Sequence, residues 1–155
     1  MARQFYQTNK SAKSNRKSET TPWDRAVKYI SYKIRTEKEV REYLGEECTE
    51  EIIAKLKDYK FINDEEYARM YAQDRERFRP RSQKMLNFEL KRKGLVPVEV
   101  DDAKLADLAL EMKMRLWSKL EYQDFKVKAA RFLASRGFSW GIIEKTIKRS
   151  YYREQ

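Results

Sequence analysis

From Thr21 onward, apolar side chains recur at spacings of three and four, in blocks separated by polar breaks. That is the period of amphipathic helices. The first block is Trp23, Ala26, Val27, Ile30 and Ile34, flanked by Tyr29, with Thr21 as cap and Pro22 as first helical residue. A capping box, Thr36-Glu37-Lys38-Glu39, opens a second helix that ends at Gly45 and carries Val40, Tyr43 and Leu44. Thr49 opens a third, expected to turn Ile52, Ile53, Leu56 and Tyr59 inward. Asn63 caps the next, with Glu66 expected to reach back to the Asn63 amide and Asp64 and Glu65 at the positive end of the helix dipole. This helix is expected to bury Tyr67, Met70, Tyr71 and Phe78, and Arg79-Pro80 should break it. A helix from about Ser82 to Lys93 follows, with Met85, Leu86, Phe88 and Leu90 apolar and Gly94 at its C-terminal turn.

Val96-Pro97 predicts a brief helix around Val98 to Ala103. A long helix from Leu105 to about Leu120 carries Leu105, Leu108, Ala109, Met112, Leu116 and Trp117 on one side. Phe125, Val127, Ala129, Phe132 and Leu133 form another block, ending at Arg136-Gly137-Phe138. Ser139 caps a last helix with Ile142, Ile143 and Ile147.

The blocks repeat. Leu44, Leu90 and Leu133 each sit near the end of a middle helix, and Lys93-Gly94-Leu95 recurs as Arg136-Gly137-Phe138, 43 residues later. A period of roughly 40–47 residues marks a helical repeat array. The expected fold is all-α: three tandem three-helix, helix-turn-helix-like units in an elongated, curved array, over residues 21–61, 62–103 and 104–152. Residues 1–20 are polar and lack apolar periodicity, and are expected to be a disordered basic tail.

Charge changes this picture. The net charge is +10. Residues 75–93 hold eight bases against two acids, whereas residues 37–66 hold eleven acids against five bases. A basic middle favours polyanions such as nucleic acid. The candidate contact residues are Arg75, Arg77, Arg79, Arg81, Lys84, Lys91, Arg92 and Lys93, with Arg35, Arg131 and Arg136 behind them. Little else points to chemistry. There is no histidine, hence neither the commonest general base nor the commonest metal ligand. All four glycines fall at or near helix ends, so no glycine-rich loop cradles phosphate. Cys48 is the only cysteine, which excludes an internal disulfide and fits a reducing cytosol. No signal peptide and no membrane-length apolar run is visible. The expectation is a cytoplasmic monomer that is not an enzyme and uses no cofactor or metal.

Four stretches together resemble one family. Ala26 to Ile30, then Arg35-Thr36-Glu37-Lys38-Glu39-Val40 and Leu44, resemble the opening "YL…R-S-x-x-E-L…L" of the RecX family, small regulators of the RecA recombinase. Phe61-Ile62-Asn63-Asp64-Glu65-Glu66-Tyr67-Ala68 is similar to its "ϕ-x-D-D-x-x-F-A". Glu89-Leu90-Lys91-Arg92-Lys93-Gly94-Leu95 resembles "E-L-x-x-K-G-I", and Arg131-Phe132-Leu133-Ala134-Ser135-Arg136-Gly137-Phe138-Ser139 resembles "ϕ-L-x-R-R-G-F-S". Asn63 stands for the first Asp of the acidic pair, and Arg79-Pro80-Arg81 stands where the family often has glycine. The resemblance implies binding within the groove of the RecA–DNA filament, lowering strand exchange, ATP hydrolysis and coprotease action. Single- or double-stranded DNA is expected as a weak, nonspecific partner. The residues alone leave a second reading, an autonomous nucleic-acid-binding protein whose aromatics stack on bases among the basic residues.

Overall fold

A computed structural model describes residues 20–153. The tail expected over residues 1–20 lies outside the described residues except for Thr20. Among the described residues the secondary structure is helical throughout: α1 (Pro22–Ser31), α2 (Glu37–Leu44), a 3₁₀ turn (Gly45–Glu47), α3 (Glu50–Asp58), α4 (Asp64–Phe78), α5 (Gln83–Arg92), α6 (Asp102–Trp117), α7 (Tyr122–Ser135) and α8 (Trp140–Arg153).

The starts of these helices follow from local hydrogen bonding. Thr21 and Thr36 each accept from the amide three residues on, while Asp24 and Glu39 accept from the cap amide in return. Each box satisfies two helix-terminal N–H donors. Thr49, Ser82 and Asp101 cap α3, α5 and α6 with their side-chain oxygens. Asn63 Oδ1 accepts from the Glu66 amide as expected, but Glu66 takes its return bond from the Asn63 side-chain amide and not from its backbone.

Three separate apolar cores form, one for each unit. Ala26, Val40, Leu44, Ile53, Leu56 and Ile62 fill the first. Ala68, Ala72, Leu86, Leu90 and Leu95 fill the second. The third is the largest, built by α6, α7 and α8 around Leu110, Phe125, Leu133, Ile143 and Ile147. The array is therefore all-α, in tandem repeats of the three-helix kind, the second with an extended segment in place of its third helix.

Several expectations need correction. Residues 95–101 are not helical, and α6 begins directly at Asp102. The segment Val96-Pro97-Val98-Glu99-Val100 is β-branched at alternate positions around a proline, which favours extended backbone. Val98 donates its N–H to Asn87 Oδ1, and Val98 and Val100 pack on the second core. On α4 the buried stripe is Ala68 and Ala72; Tyr67 and Tyr71 are half-buried, and Met70 and Phe78 are exposed. Phe88, Tyr59, Met112, Leu116 and Val127 are exposed as well. On α6 the core instead takes Leu105, Ala106, Ala109, Leu110 and Met114.

Consecutive units meet by the same device. The first amide of α2, at Glu37, donates to Asp64 Oδ1 at the start of α4 (3.0 Å). The first amide of α5, at Gln83, donates to Asp102 Oδ1 at the start of α6 (2.6 Å). In each case the middle helix of one unit is capped by the first aspartate of the next, where the carboxylate also meets the positive helix end.

Candidate functional site

The basic residues of the second unit lie on α4, α5 and the segment joining them, and the structure divides them by partner. Glu89 on α5 is the hub. Its carboxylate accepts from Tyr71 Oη (2.8 Å), from Arg75 Nε (2.8 Å) and from Arg81 Nη1. Arg75 also donates to Tyr71 Oη and lies over the Tyr71 ring, 4.8 Å from its centroid. Burial pushes the Glu89 carboxyl up, but hydrogen bonds from Tyr71 and Arg75 outweigh it and hold the pKa below its ordinary 4.5. Burial opposes charge on Arg75 too, and the bonds to Glu89 and Tyr71 raise it on balance. Sequence reasoning passed over Glu89 and Tyr71. The signal was present, since Glu89 is one of only two acids among eight bases.

Arg136 of the third unit is turned inward. Its Nη1 donates to the Pro80 carbonyl (3.2 Å), and its own carbonyl accepts from the Ser82 amide (3.1 Å). Burial, then the nearby Arg81 and Arg79, depress its pKa. Arg35 pairs with Glu39 and lies 4.2 Å from the Tyr29 ring centroid. Thus Arg75, Arg81, Arg136 and Arg35 serve the fold directly. Arg77, Arg79, Lys84, Lys91, Arg92 and Arg131 are exposed and make no ion pair among the described residues. Lys93 is half-buried over the rings of Tyr67 and Tyr71.

Helix geometry groups the free bases. Lys84, Phe88, Lys91 and Arg92 fall at i, i+4, i+7 and i+8, one face of α5. Phe88 is 59% exposed in their midst, and Phe78 is 65% exposed between Arg77 and Arg79. A groove of about 360 Å³ separates α4 from α5, lined by Tyr71, Arg75, Glu89, Arg92 and Lys93. With Glu89 already matched by Arg75 and Arg81, the charge left over in that groove is positive. Arg131 lies on α7, and no hydrogen bond or ion pair joins it to this group among the described residues. The arrangement suits binding of an extended anionic partner.

Comparison with known proteins places the chain. Models of the first, second and third three-helix domains of RecX match residues 23–56, 63–103 and 100–147. The chain belongs to the RecX family. It is 31% identical over 144 residues to the regulatory protein RecX of Bacillus pumilus, covering 83% of this chain and 55% of that one. It is 33% identical over 134 residues to RecX of Bacillus cytotoxicus, covering 77% and 50%. The chain thus spans about half the length of these relatives. The crystal structure of RecX from Lactobacillus salivarius superposes with a TM-score of 0.68 at 27% identity, covering 84% of this chain and 94% of that one. The family is named for a regulatory role. Among the described residues, no helix is long and apolar enough to cross a membrane.

Proposed function

We propose that this protein binds the RecA–DNA filament in the cytoplasm as a monomer and inhibits RecA in strand exchange, ATP hydrolysis and coprotease action. On this reading it modulates recombination and repair without being an enzyme. The observation that carries the reading is the set of exposed bases on the second unit that have no ion-pair partner among the described residues, in a chain of this family. A filament offers acidic protein surface and phosphates together, and a cluster of exposed bases complements both. Arg77, Arg79, Lys84, Lys91 and Arg92 are the contact residues on this reading. Arg75 and Arg81 act indirectly, through Glu89, by fixing the groove.

The test is the DNA-stimulated ATPase of a cognate RecA filament titrated with this protein, beside anisotropy on bare single-stranded DNA in the same salt. Inhibition is expected well below the concentration that coats bare DNA. A combined Arg77→Glu, Arg79→Glu and Lys91→Glu variant should need at least about tenfold more protein, with its melting temperature nearly unchanged, because surface substitutions of this kind shift stability by only about 0.5 kcal/mol. Unchanged inhibition removes the assignment.

One observation favours a second reading. Phe88 stands open among Lys84, Lys91 and Arg92, the combination used to stack single-stranded bases. If inhibition appears only as the DNA itself is covered, this is an autonomous nucleic-acid binder. Phe88→Ala should then weaken binding to bare strands by about 1–3 kcal/mol.

A further inference from the structure

Helix α4 carries two apolar stripes, one fully buried in the core and one that packs only its tyrosines against the core's edge. Ala68 and Ala72 face inward. Tyr67, Met70, Tyr71 and Asp74 fall at i, i+3, i+4 and i+7 and line a second groove, of about 220 Å³, against Lys33 and Ile34 of the first unit. Ile34 is 55% exposed and Met70 45%. Two large aliphatic side chains facing each other across a groove, each about half open, lose free energy to water unless something covers them.

Tyr71 belongs to both grooves, so the apolar one runs directly into the basic one. Its ring is already occupied: Arg75 lies 4.8 Å and Lys93 5.4 Å from its centroid. Lys93 lies 5.8 Å from the Tyr67 ring as well. Cations already over both rings compete with base stacking, and Asp74 offsets the charge of Lys33, so the apolar half offers a phosphate backbone no net positive charge. What remains open is aliphatic, flanked across Tyr71 by positive charge from Arg92 and Lys93.

We propose that this two-part groove is the docking site for a protein segment, in which a large apolar side chain enters between Ile34 and Met70 and neighbouring carboxylates meet Arg92 and Lys93. The inference rests on the filament reading above, and assigns to this groove the filament's protein component. Nucleic acid is left to the Phe88 face of α5.

The experiment places the photoreactive residue p-benzoylphenylalanine at Met70 and, in a second protein, at Phe88. Each is irradiated on a cognate RecA–single-stranded DNA filament, and crosslinked partners are read by mass spectrometry. Crosslinks from position 70 are expected to land on RecA, in a segment that pairs an apolar residue with Asp or Glu. Met70→Glu and Ile34→Glu should each raise the concentration for half-inhibition of the ATPase at least about tenfold, with unchanged circular dichroism. Crosslinks from position 70 to DNA overturn the proposal and give the groove to nucleic acid. Inhibition that persists while position 70 crosslinks nothing, or that ignores both glutamates, also overturns it and leaves the filament reading standing. No inhibition by the unaltered protein removes the filament reading itself, and this inference with it.

Discussion

The two joints between units share one plan and differ in what fills it. In both, a middle helix is capped by the first aspartate of the next unit, and a glycine with positive φ from that unit's own middle helix presses against its first turn. At the first joint the glycine is Gly94 and its neighbour is Lys38, whose Nζ reaches across to the Arg92 carbonyl (3.0 Å). At the second the glycine is Gly137, and it meets Met85 and the buried Ser82. There a main-chain bond from Ser82 to Arg136 and the Arg136–Pro80 bond tie the units together. Lys104 and Glu76 add an ion pair at 2.6 Å. The first joint closes on a long, half-exposed lysine stem; the second closes on packed side chains and backbone. The same fold grammar thus yields one compliant connection and one stiff one.

Substituting the glycines breaks the comparison most directly. A Cβ at Gly137 would lie 2.4 Å from Met85 Cγ and 2.6 Å from Ser82 Oγ, on a backbone at φ +85° that side chains rarely adopt. Left-handed strain of about 1 kcal/mol and overpacking of about 1–3 kcal/mol add up, so Gly137→Ala should lose about 2–4 kcal/mol in denaturant unfolding. Gly94→Ala meets Lys38 Cβ at 2.9 Å, at φ +76°. The Lys38 Cβ is held by the α2 backbone, but at 2.9 Å the overlap is shallower than the 2.4 Å approach at Gly137, so the loss there should stay nearer the strain alone, about 1–2 kcal/mol. Equal losses at both sites would mean that the joints do not differ in stiffness.

Acid should separate the joints in a second way. Glu89 holds Arg81, the residue before Ser82, and so supports the second joint. A carboxyl held below its ordinary 4.5 contributes stability above that value and loses it as pH falls through the depressed folded pKa. Glu89→Gln leaves Arg75 and Arg81 without their counter-charge and should cost about 1–3 kcal/mol at neutral pH. The gap between the variant and the parent should close as pH falls below about 4.5. A gap that stays constant with pH would show that the carboxylate charge contributes nothing.

What could be read in the sequence was what neighbours in sequence decide. The caps at Thr21, Thr36, Thr49 and Asn63 involve two to four consecutive residues, so their chemistry is local. The glycine turns at Gly94 and Gly137 are local in the same sense. The choice between stripes on α4 is not. Tyr67, Met70 and Tyr71 give the stronger periodic signal, yet the fully buried positions are the small Ala68 and Ala72, with Tyr67 and Tyr71 half-buried at the core's edge and Met70 exposed. The segment from Val98 to Ala103 misled because Pro97 suits a helix start, while the alternating valines favour extended chain. For the site, the bases were visible but their partners were not. Arg75, Arg81 and Arg136 look like Arg77 and Arg79 until the fold brings up Glu89 and the Pro80 carbonyl.

The smallest effect tests the capping aspartate of the first joint, Asp64. Burial raises the pKa of Asp64 above its ordinary 3.8, partly offset by the Glu37 amide, and the Glu37 carboxylate pushes it further up. A carboxyl with a raised folded-state pKa is one the folded protein prefers protonated. Its ionisation therefore removes stability as pH rises through the carboxylate range and returns it as pH falls, opposite in sign to Glu89. In Asp64→Asn the side-chain oxygen still accepts from the Glu37 amide, while the unfavourable charge is gone. Stability at neutral pH should change by no more than about 0.5 kcal/mol, toward a gain, and any gain should vanish below pH 3.8. Thermal unfolding at neutral and acidic pH decides it. A clear loss at neutral pH would mean that the first joint depends on the charge of Asp64 and not only on its oxygen, and it would then be an electrostatic contact as much as the second.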